Sequence, residues 1–450
     1  MKRINIYLAL LLVVFSISSC KKDEQEVVTS DSPTTFDGEF TRQWINLECT
    51  IVKTTGGFLP PQAARAYGYT GIALYESIVQ GWPEAKSLAG QINGLTEDML
   101  PKIEENKEYN WALSANAAMA EIIRKMYEKK ISADNLAEVN TLENNWQSTL
   151  SYRVSEEVAE RSIAYGKSVA NAIYEYSKTD GGHESYMDPF QLPYTWPAIT
   201  GAWIPTGATA NPIAPKWGSN RPFLASNLTN IVPVAHPAYS TDPASPFYQE
   251  AMNVYNTVTN ASEEQKTIAR YWADDPMNTC TPTGHTFNIM MQLLEENDAN
   301  LAMSAVAFAK LGIAENDAFI CCWKCKYDYF LIRPVTYIKQ NIDPNFATVI
   351  GTPAFPAYTS GHATEAAAGT EIFKNMFANG NANYNFTDRS QVRYGFSTRT
   401  FTNFDDMALE CANSRLYGGI HYNFDNMKGL EMGRTVGENV INSIDWPTTF

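Results

Sequence analysis

Residues 301–334 read LAMSAVAFAKLGIAENDAFICCWKCKYDYFLIRP. Apolar side chains recur through this stretch at helical spacing, and no two-residue alternation of the kind a strand needs interrupts them. Pro334 disfavours helical backbone at Arg333, so the helix is expected to stop there. The same pattern returns on both sides of it. Residues 58–80, 112–131, 153–180, 262–272, 286–297, 364–377 and 427–444 all read as helices, several of them rich in alanine. Alternating patterns are scarce elsewhere, which makes the chain all-α. Between residues 181 and 245 the composition changes to Gly, Pro, Trp, Asn and Thr. This segment reads as a long ordered loop between an N-terminal helical half (39–180) and a C-terminal half (246–450), and loops of that length often line sites.

The bulk properties narrow the function. A chain of 450 residues with 44% apolar and 18% charged residues can bury a large core or two fused bundles. The net charge of −15 argues against nucleic-acid binding, which draws on excess Lys and Arg. Any anion site must be a local positive pocket. Residues 1–19 have a basic start and an apolar run too short to span a bilayer, the form of a signal peptide. The run ends in ISSC, which resembles the lipobox of bacterial lipoproteins and implies lipidation at Cys20. The following KKDEQE resembles the charged export tag of surface lipoproteins in Bacteroidota. These features lead us to expect a flexible tether over 20–38, a single domain over 39–450, and a lipid-anchored protein of the Gram-negative cell envelope, periplasmic or at the outer-membrane surface.

Six cysteines remain after Cys20. Cys322-Trp323-Lys324-Cys325 has C-x-x-C spacing, but no second pair stands at a matching distance to complete a zinc site. Buried thiols packing a helix are the expectation.

Three segments carry chemistry. In WKCKYDYFLIRP, Lys326 and Arg333 are seven residues apart and would share a helix face. Two cations in so apolar a context are costly to bury unless an anion lies between them. In AYTSGHATEAAAG, Ser360 stands where an N-cap belongs, and the helix start with Gly361 offers free amides to an anion. His362, in that first turn, could donate to the anion or move protons. In SRLYGGIHYNFD, the pair Gly418-Gly419 breaks the helix, so Arg415 and His421 can converge. Asp425, four residues beyond His421, could hold the far side of its ring. A second Gly-His, at His285, has no partner cations and reads as structural.

Taken in order, K-x6-RP, SGH and SR-x3-G-x-H-x3-D resemble the signature of the type-2 phosphatidic acid phosphatase and vanadium haloperoxidase superfamily. Thr359 departs from it, standing where that superfamily usually has proline. The resemblance implies two helical bundles and a tetrahedral oxyanion, vanadate or phosphate, held by Lys326, Arg333, Ser360, Gly361 and Arg415. It makes His421 either the single protein ligand to vanadium or the nucleophile of a phosphatase. His362 becomes the acid–base residue in either case.

Further likeness leans toward the haloperoxidase branch. Trp323 and Phe355 match positions that flank its halide pocket. YWADDPMNTCTPTGHTFNIM resembles a segment that would place Asp275 on His362. The expected substrates are hydrogen peroxide and halide. The alternatives are a phosphatase acting on phosphate esters and a non-enzymatic lipoprotein that binds an oxyanion.

Overall fold

A computed structural model describes residues 30–207, 209–229 and 235–450. The expected signal peptide and Cys20 lie outside the described residues. Helices α1 (Glu39–Thr54), α2 (Pro60–Glu76), α3 (Trp111–Tyr127), α4 (Ala133–Leu150) and α5 (Glu156–Ser177) build the N-terminal half. The short α6 (Ser226–Thr229) interrupts the long loop. The C-terminal half holds α7 (Pro246–Thr259), α8 (Glu263–Tyr271), α9 (Thr281–Glu296), α10 (Leu301–Tyr329) and α11 (Pro334–Asn341). It continues with α12 (Gly361–Phe377), α13 (Phe404–Tyr417) and α14 (Asn423–Ser443). The all-α expectation holds. The one sheet among the described residues is an antiparallel ribbon of β1 (Asn383–Asp388) and β2 (Arg399–Asn403).

Helix α10 is the spine. Asn300 caps it by accepting from the Met303 amide at 2.9 Å, satisfying a donor that the first turn leaves free. Its small and apolar residues are buried almost all round, as befits a helix central to a core. On one side it meets α2 so closely that a Cβ on Gly71 would collide with the Phe308 carbonyl. On the other it meets α12. One continuous apolar core therefore runs through both halves.

Helix α14 lies against α12 through Gly429, Gly433 and Gly437, spaced by four and so stacked on one face. A side chain at Gly433 would overlap the Thr364 carbonyl. The close approach brings the first turn of α14 to the first turn of α12, where the Ser360 amide donates to the Asp425 carbonyl at 3.1 Å.

Two expectations need correction. The tether does not extend to residue 38. The Ser30 hydroxyl accepts from the Tyr109 amide at 2.8 Å, Thr34 accepts from Asn300 at 2.9 Å, and Phe36 accepts from the Leu301 amide at 2.9 Å. Residues 30–38 are thus fastened to the helical body. Helix α10 also stops earlier than Pro334 alone implies. Phe330 takes a left-handed φ of 48°, and its amide donates to the Lys326 carbonyl at 2.9 Å, which closes the helix four residues before the proline. Lys326 and Arg333 therefore do not share a helix face. A turn brings them together.

The long loop is ordered by the helices it crosses. The Trp203 amide donates to Phe330 and the Ile332 amide to Gly201, each at 2.8 Å. The Ile213 carbonyl accepts from the Trp323 indole at 3.2 Å and from the Tyr327 hydroxyl. The loop thus braces the end of α10, where the candidate site begins.

Candidate active site

Arg333 caps α11 from outside the helix and is fully buried at 0% exposure. Its Nε donates to the Phe355 carbonyl at 2.7 Å and its Nη1 to Ile420 at 2.8 Å. Nη2 has no protein partner. Lys326 is also at 0% exposure, and its ammonium is shared among the carbonyls of Pro356, Ala357 and Thr359. All three lysine donors are spent on the loop that leads into α12. Lys326 therefore ties that loop down and supplies charge. The Tyr358–Thr359 peptide within it is cis.

Arg415 sits in the last turn of α13, before Gly418 ends the helix and Gly419 turns the chain with φ 77°. Its Nη1 donates to the Trp272 carbonyl, and its Nε is buried without a partner. After the turn, His421 points its Nδ1 at Asp425 Oδ2, 2.8 Å away, and its Nε2 at Arg333 Nη1, 3.0 Å away. Arginine can only donate, so the hydrogen-bond network places the His421 proton on Nδ1 and the lone pair on Nε2. Asp425 Oδ2 also accepts from the Tyr422 amide at 3.1 Å, which fixes the carboxylate.

His362 stands in the first turn of α12. Its ring N–H faces the backbone carbonyl of Ala273, and its Nε2 is buried with no protein partner. The Ser360 hydroxyl accepts weakly from the Ala363 amide at 3.4 Å, and its own proton goes to no acceptor among the described residues. Gly361, His362 and His421 line a small enclosed cavity with Phe319, Trp323 and Phe355. A Cβ on Gly361 would meet Trp323 and Phe319 at 3.6 and 3.8 Å, ordinary contact distances. The Phe355 ring packs on Trp323 at 4.9 Å and lies under both the Lys326 and Arg333 charges.

Electrostatics sets the character of the pocket. Burial pushes Lys326 down to about 8 and Arg333 down to about 9. Burial also lowers Arg415. His421 is held well below the usual imidazole range, first by burial, then by Arg333, Lys326, Arg415 and His362. His362 is lowered well below it too, by burial and then by Arg415. Burial raises the Asp425 carboxyl to about 7 against the pull of Lys326 and Arg333. Two neutral histidines thus sit among three cations and one carboxyl group. That excess of positive charge and those unpaired groups suit an anion that offers several acceptor oxygens.

The chain brings together Lys326, Arg333, Ser360, Gly361, His362, Arg415, His421 and Asp425, with Trp323 and Phe355 as the apolar wall. Asp275 is not among them. Its side chain reaches the solvent, no side-chain hydrogen bond joins it to His362, and it acts on the site through its charge on Arg415. The Ala273 carbonyl occupies the place expected of that carboxylate. The neighbouring Asp274, with φ 49°, turns inward instead and meets His285 Nδ1 at 2.9 Å. One position in the run Ala-Asp-Asp decides which carboxylate is buried, and the spacing alone gives no sign of it. Cys322 and Cys325 are buried free thiols on α10.

Residues 306–446 match the family model described as the VCPO second helical-bundle domain. Vanadium chloroperoxidase of Curvularia inaequalis is 22% identical over 417 residues, spanning 77% of this chain and 67% of that protein. The crystal structure of a bacterial vanadium-dependent iodoperoxidase superposes with a TM-score of 0.82 at 31% identity, covering 93% of this chain and 99% of that one. A bacterial vanadium-dependent chloroperoxidase in its apo form shares the fold with a TM-score of 0.63 at 12% identity, covering 84% of this chain and 93% of that one.

Proposed function

The chain belongs to the vanadium-dependent haloperoxidases, and on that premise we propose that it oxidises halide with hydrogen peroxide at the pocket around His421. The observation that carries this reading is the set of buried groups without protein partners, Arg333 Nη2, Arg415 Nε and His362 Nε2, in a pocket with excess positive charge. Vanadate fits that set. Arg333, Arg415, the Ser360 hydroxyl and the free amides at the start of α12 would face its oxygens, and His421 Nε2 would be the nitrogen ligand. When bound, vanadate supplies the Lewis acidity that makes hydrogen peroxide electrophilic toward halide.

The chain's own residues do the rest. Asp425 holds the proton on His421 Nδ1, so the Nε2 lone pair stays available. Lys326 keeps the loop 356–359 in place and adds charge that balances an anion. His362, neutral and with a free Nε2, would accept a proton from hydrogen peroxide and give it back to the oxygen that leaves as water. Trp323 and Phe355 shield the cavity from bulk water and offer a polarisable wall to a weakly hydrated halide.

Iodide is the first halide to test, since the relative at 31% identity is named an iodoperoxidase. Metal-free protein should oxidise iodide with peroxide only after vanadate is added, and should leave an aryl phosphate intact. Steady hydrolysis of the aryl phosphate, with vanadate acting only as its inhibitor, would replace this reading with that of a phosphatase.

A further inference from the structure

Behind His362 lies a second histidine that the reaction does not touch. His285, on α9, is 2% exposed and bridges two carboxylates: its Nδ1 meets Asp274 at 2.9 Å and its Nε2 meets Asp388, from β1, at 2.8 Å. Tyr271, from α8, donates its hydroxyl to the same Asp388 oxygen at 2.6 Å. Asp388 Oδ1 accepts from the Ser390 amide at 2.8 Å, and the Gln391 side-chain nitrogen, 2.9 Å from His285 Nδ1, donates alongside it to Asp274, reaching Oδ1 at 2.6 Å. The Trp272 indole lies flat on the His285 ring, 4.6 Å between centroids at 16°.

Three consecutive residues connect this cluster to the site. The Trp272 carbonyl accepts from Arg415, the Ala273 carbonyl faces the His362 ring N–H, and the Asp274 side chain is held by His285. One short turn therefore orients both the acid–base histidine and one of the anion-binding arginines, and that turn is fastened from behind by its last residue and by the ring of its first.

We propose that His285, clamped between Asp274 and Asp388, is a positioning residue that fixes the Trp272–Asp274 turn and through it the tautomer of His362 and the direction of Arg415. The proposal rests on the reading of His362 as the acid–base residue, but its geometry does not depend on which reaction the pocket performs. With two carboxylates as partners, His285 is held as the imidazolium: burial alone would push it down, and Asp274 and Asp388 raise it well above its ordinary value. A doubly bonded imidazolium has no freedom to rotate, which suits it to hold a turn.

The test uses Tyr271→Phe, which removes one bond to Asp388, and Asp388→Asn, which removes the charge. Ring nitrogen shifts of His362 are recorded by NMR in vanadate-free protein, so the readout needs no turnover. Wild-type protein should show one neutral tautomer, protonated on Nδ1. Tyr271→Phe should show a minor population of the other tautomer, and Asp388→Asn a mixture. In vanadate-loaded protein the pH profile of iodide oxidation should move in both variants, and in Asp388→Asn kcat should fall about ten-fold with little change in KM for iodide. A merely structural cluster would lower the melting temperature and leave the His362 shifts and the pH profile alone, and that outcome overturns the proposal. Should Asp388→Asn fail to fold, Tyr271→Phe decides by the same shifts. If wild-type protein oxidises no halide, the proposed function falls while the tautomer measurement still decides the positioning role.

Discussion

The two buried histidine clusters of this protein each set an imidazole against an aspartate, and they differ in what meets the second ring nitrogen. His285 sits between two carboxylates, and each of its ring nitrogens has an acceptor. His421 has a carboxylate on one nitrogen and an arginine on the other, and the arginines around it keep unused donors. The first cluster satisfies its imidazole, and the group it leaves without a partner is the neutral Gln391 Oε1. The second is short of negative charge, and on the proposed function an anion would complete it. Burial of polar groups is tolerated where partners are present and marks a binding site where they are missing.

The largest effect on activity outside His421 itself is expected at His362. His362→Ala removes the group that moves protons, and iodide oxidation should lose about 10²–10⁴-fold in kcat. Vanadate affinity of the same variant, followed by equilibrium dialysis, should change little. A parallel collapse of affinity would mean that His362 serves the anion more than the proton.

Stability should respond in opposite senses at the two clusters. Asp388→Asn leaves a buried imidazolium short of a partner and should cost about 3 kcal/mol, the lower end for a broken buried pair. Arg415→Met removes a buried cation whose one direct partner is a carbonyl, and vanadate-free stability should be unchanged or higher by about 1 kcal/mol. Denaturant midpoints of the two variants against wild type would show it. Equal losses would erase the distinction between a closed cluster and an open one.

The pH dependence sharpens the same contrast. His285 is raised in the folded state, so its contribution is complete below the unfolded imidazole value of about 6.5 and declines as pH rises toward its folded value. Asp388 is lowered to about 2, chiefly because His285 outweighs burial, so its contribution is complete above about 3.9 and is lost as pH falls through about 2. The stability gap between wild type and His285→Gln should therefore be widest between about pH 4 and pH 6.5 and shrink above it. A gap that grows toward alkaline pH would contradict the imidazolium assignment.

The smallest expected effect is on melting temperature in simple buffer. Inorganic phosphate, which shares the tetrahedral shape of vanadate, should raise it by a few degrees in wild type and not in Arg415→Met. A rise of the same size in both proteins would place the anion elsewhere.

The convergence of Arg333, His362, Arg415 and His421 was legible from the sequence because these side chains stand at fixed spacings from helix-breaking residues. Gly418-Gly419 announces the turn that returns His421 to Arg415, and Ser360-Gly361 announces the start of a helix. The true end of α10 was less legible, because Phe330 in the left-handed region carries no glycine to advertise it. The close packing of α12 on α14 did have a signal, the glycines at 429, 433 and 437, but spacing by four names no partner. The closed cluster was the least visible. Its members, Asp274, His285 and Asp388, come from a turn, a helix and a strand 114 positions apart at their extremes (388 − 274). The group that orients His362 is a backbone carbonyl, which any residue possesses, and the pattern pointed one position away, to Asp275.

The most direct measurement is a vanadate titration of metal-free protein, following iodide oxidation and bound vanadate together in wild type and His421→Ala. Activity in wild type should rise with vanadate and saturate at one bound vanadate per chain, while His421→Ala stays at the level of the protein-free blank. A His421→Ala protein that binds vanadate with wild-type affinity and oxidises iodide at the wild-type rate would contradict the account.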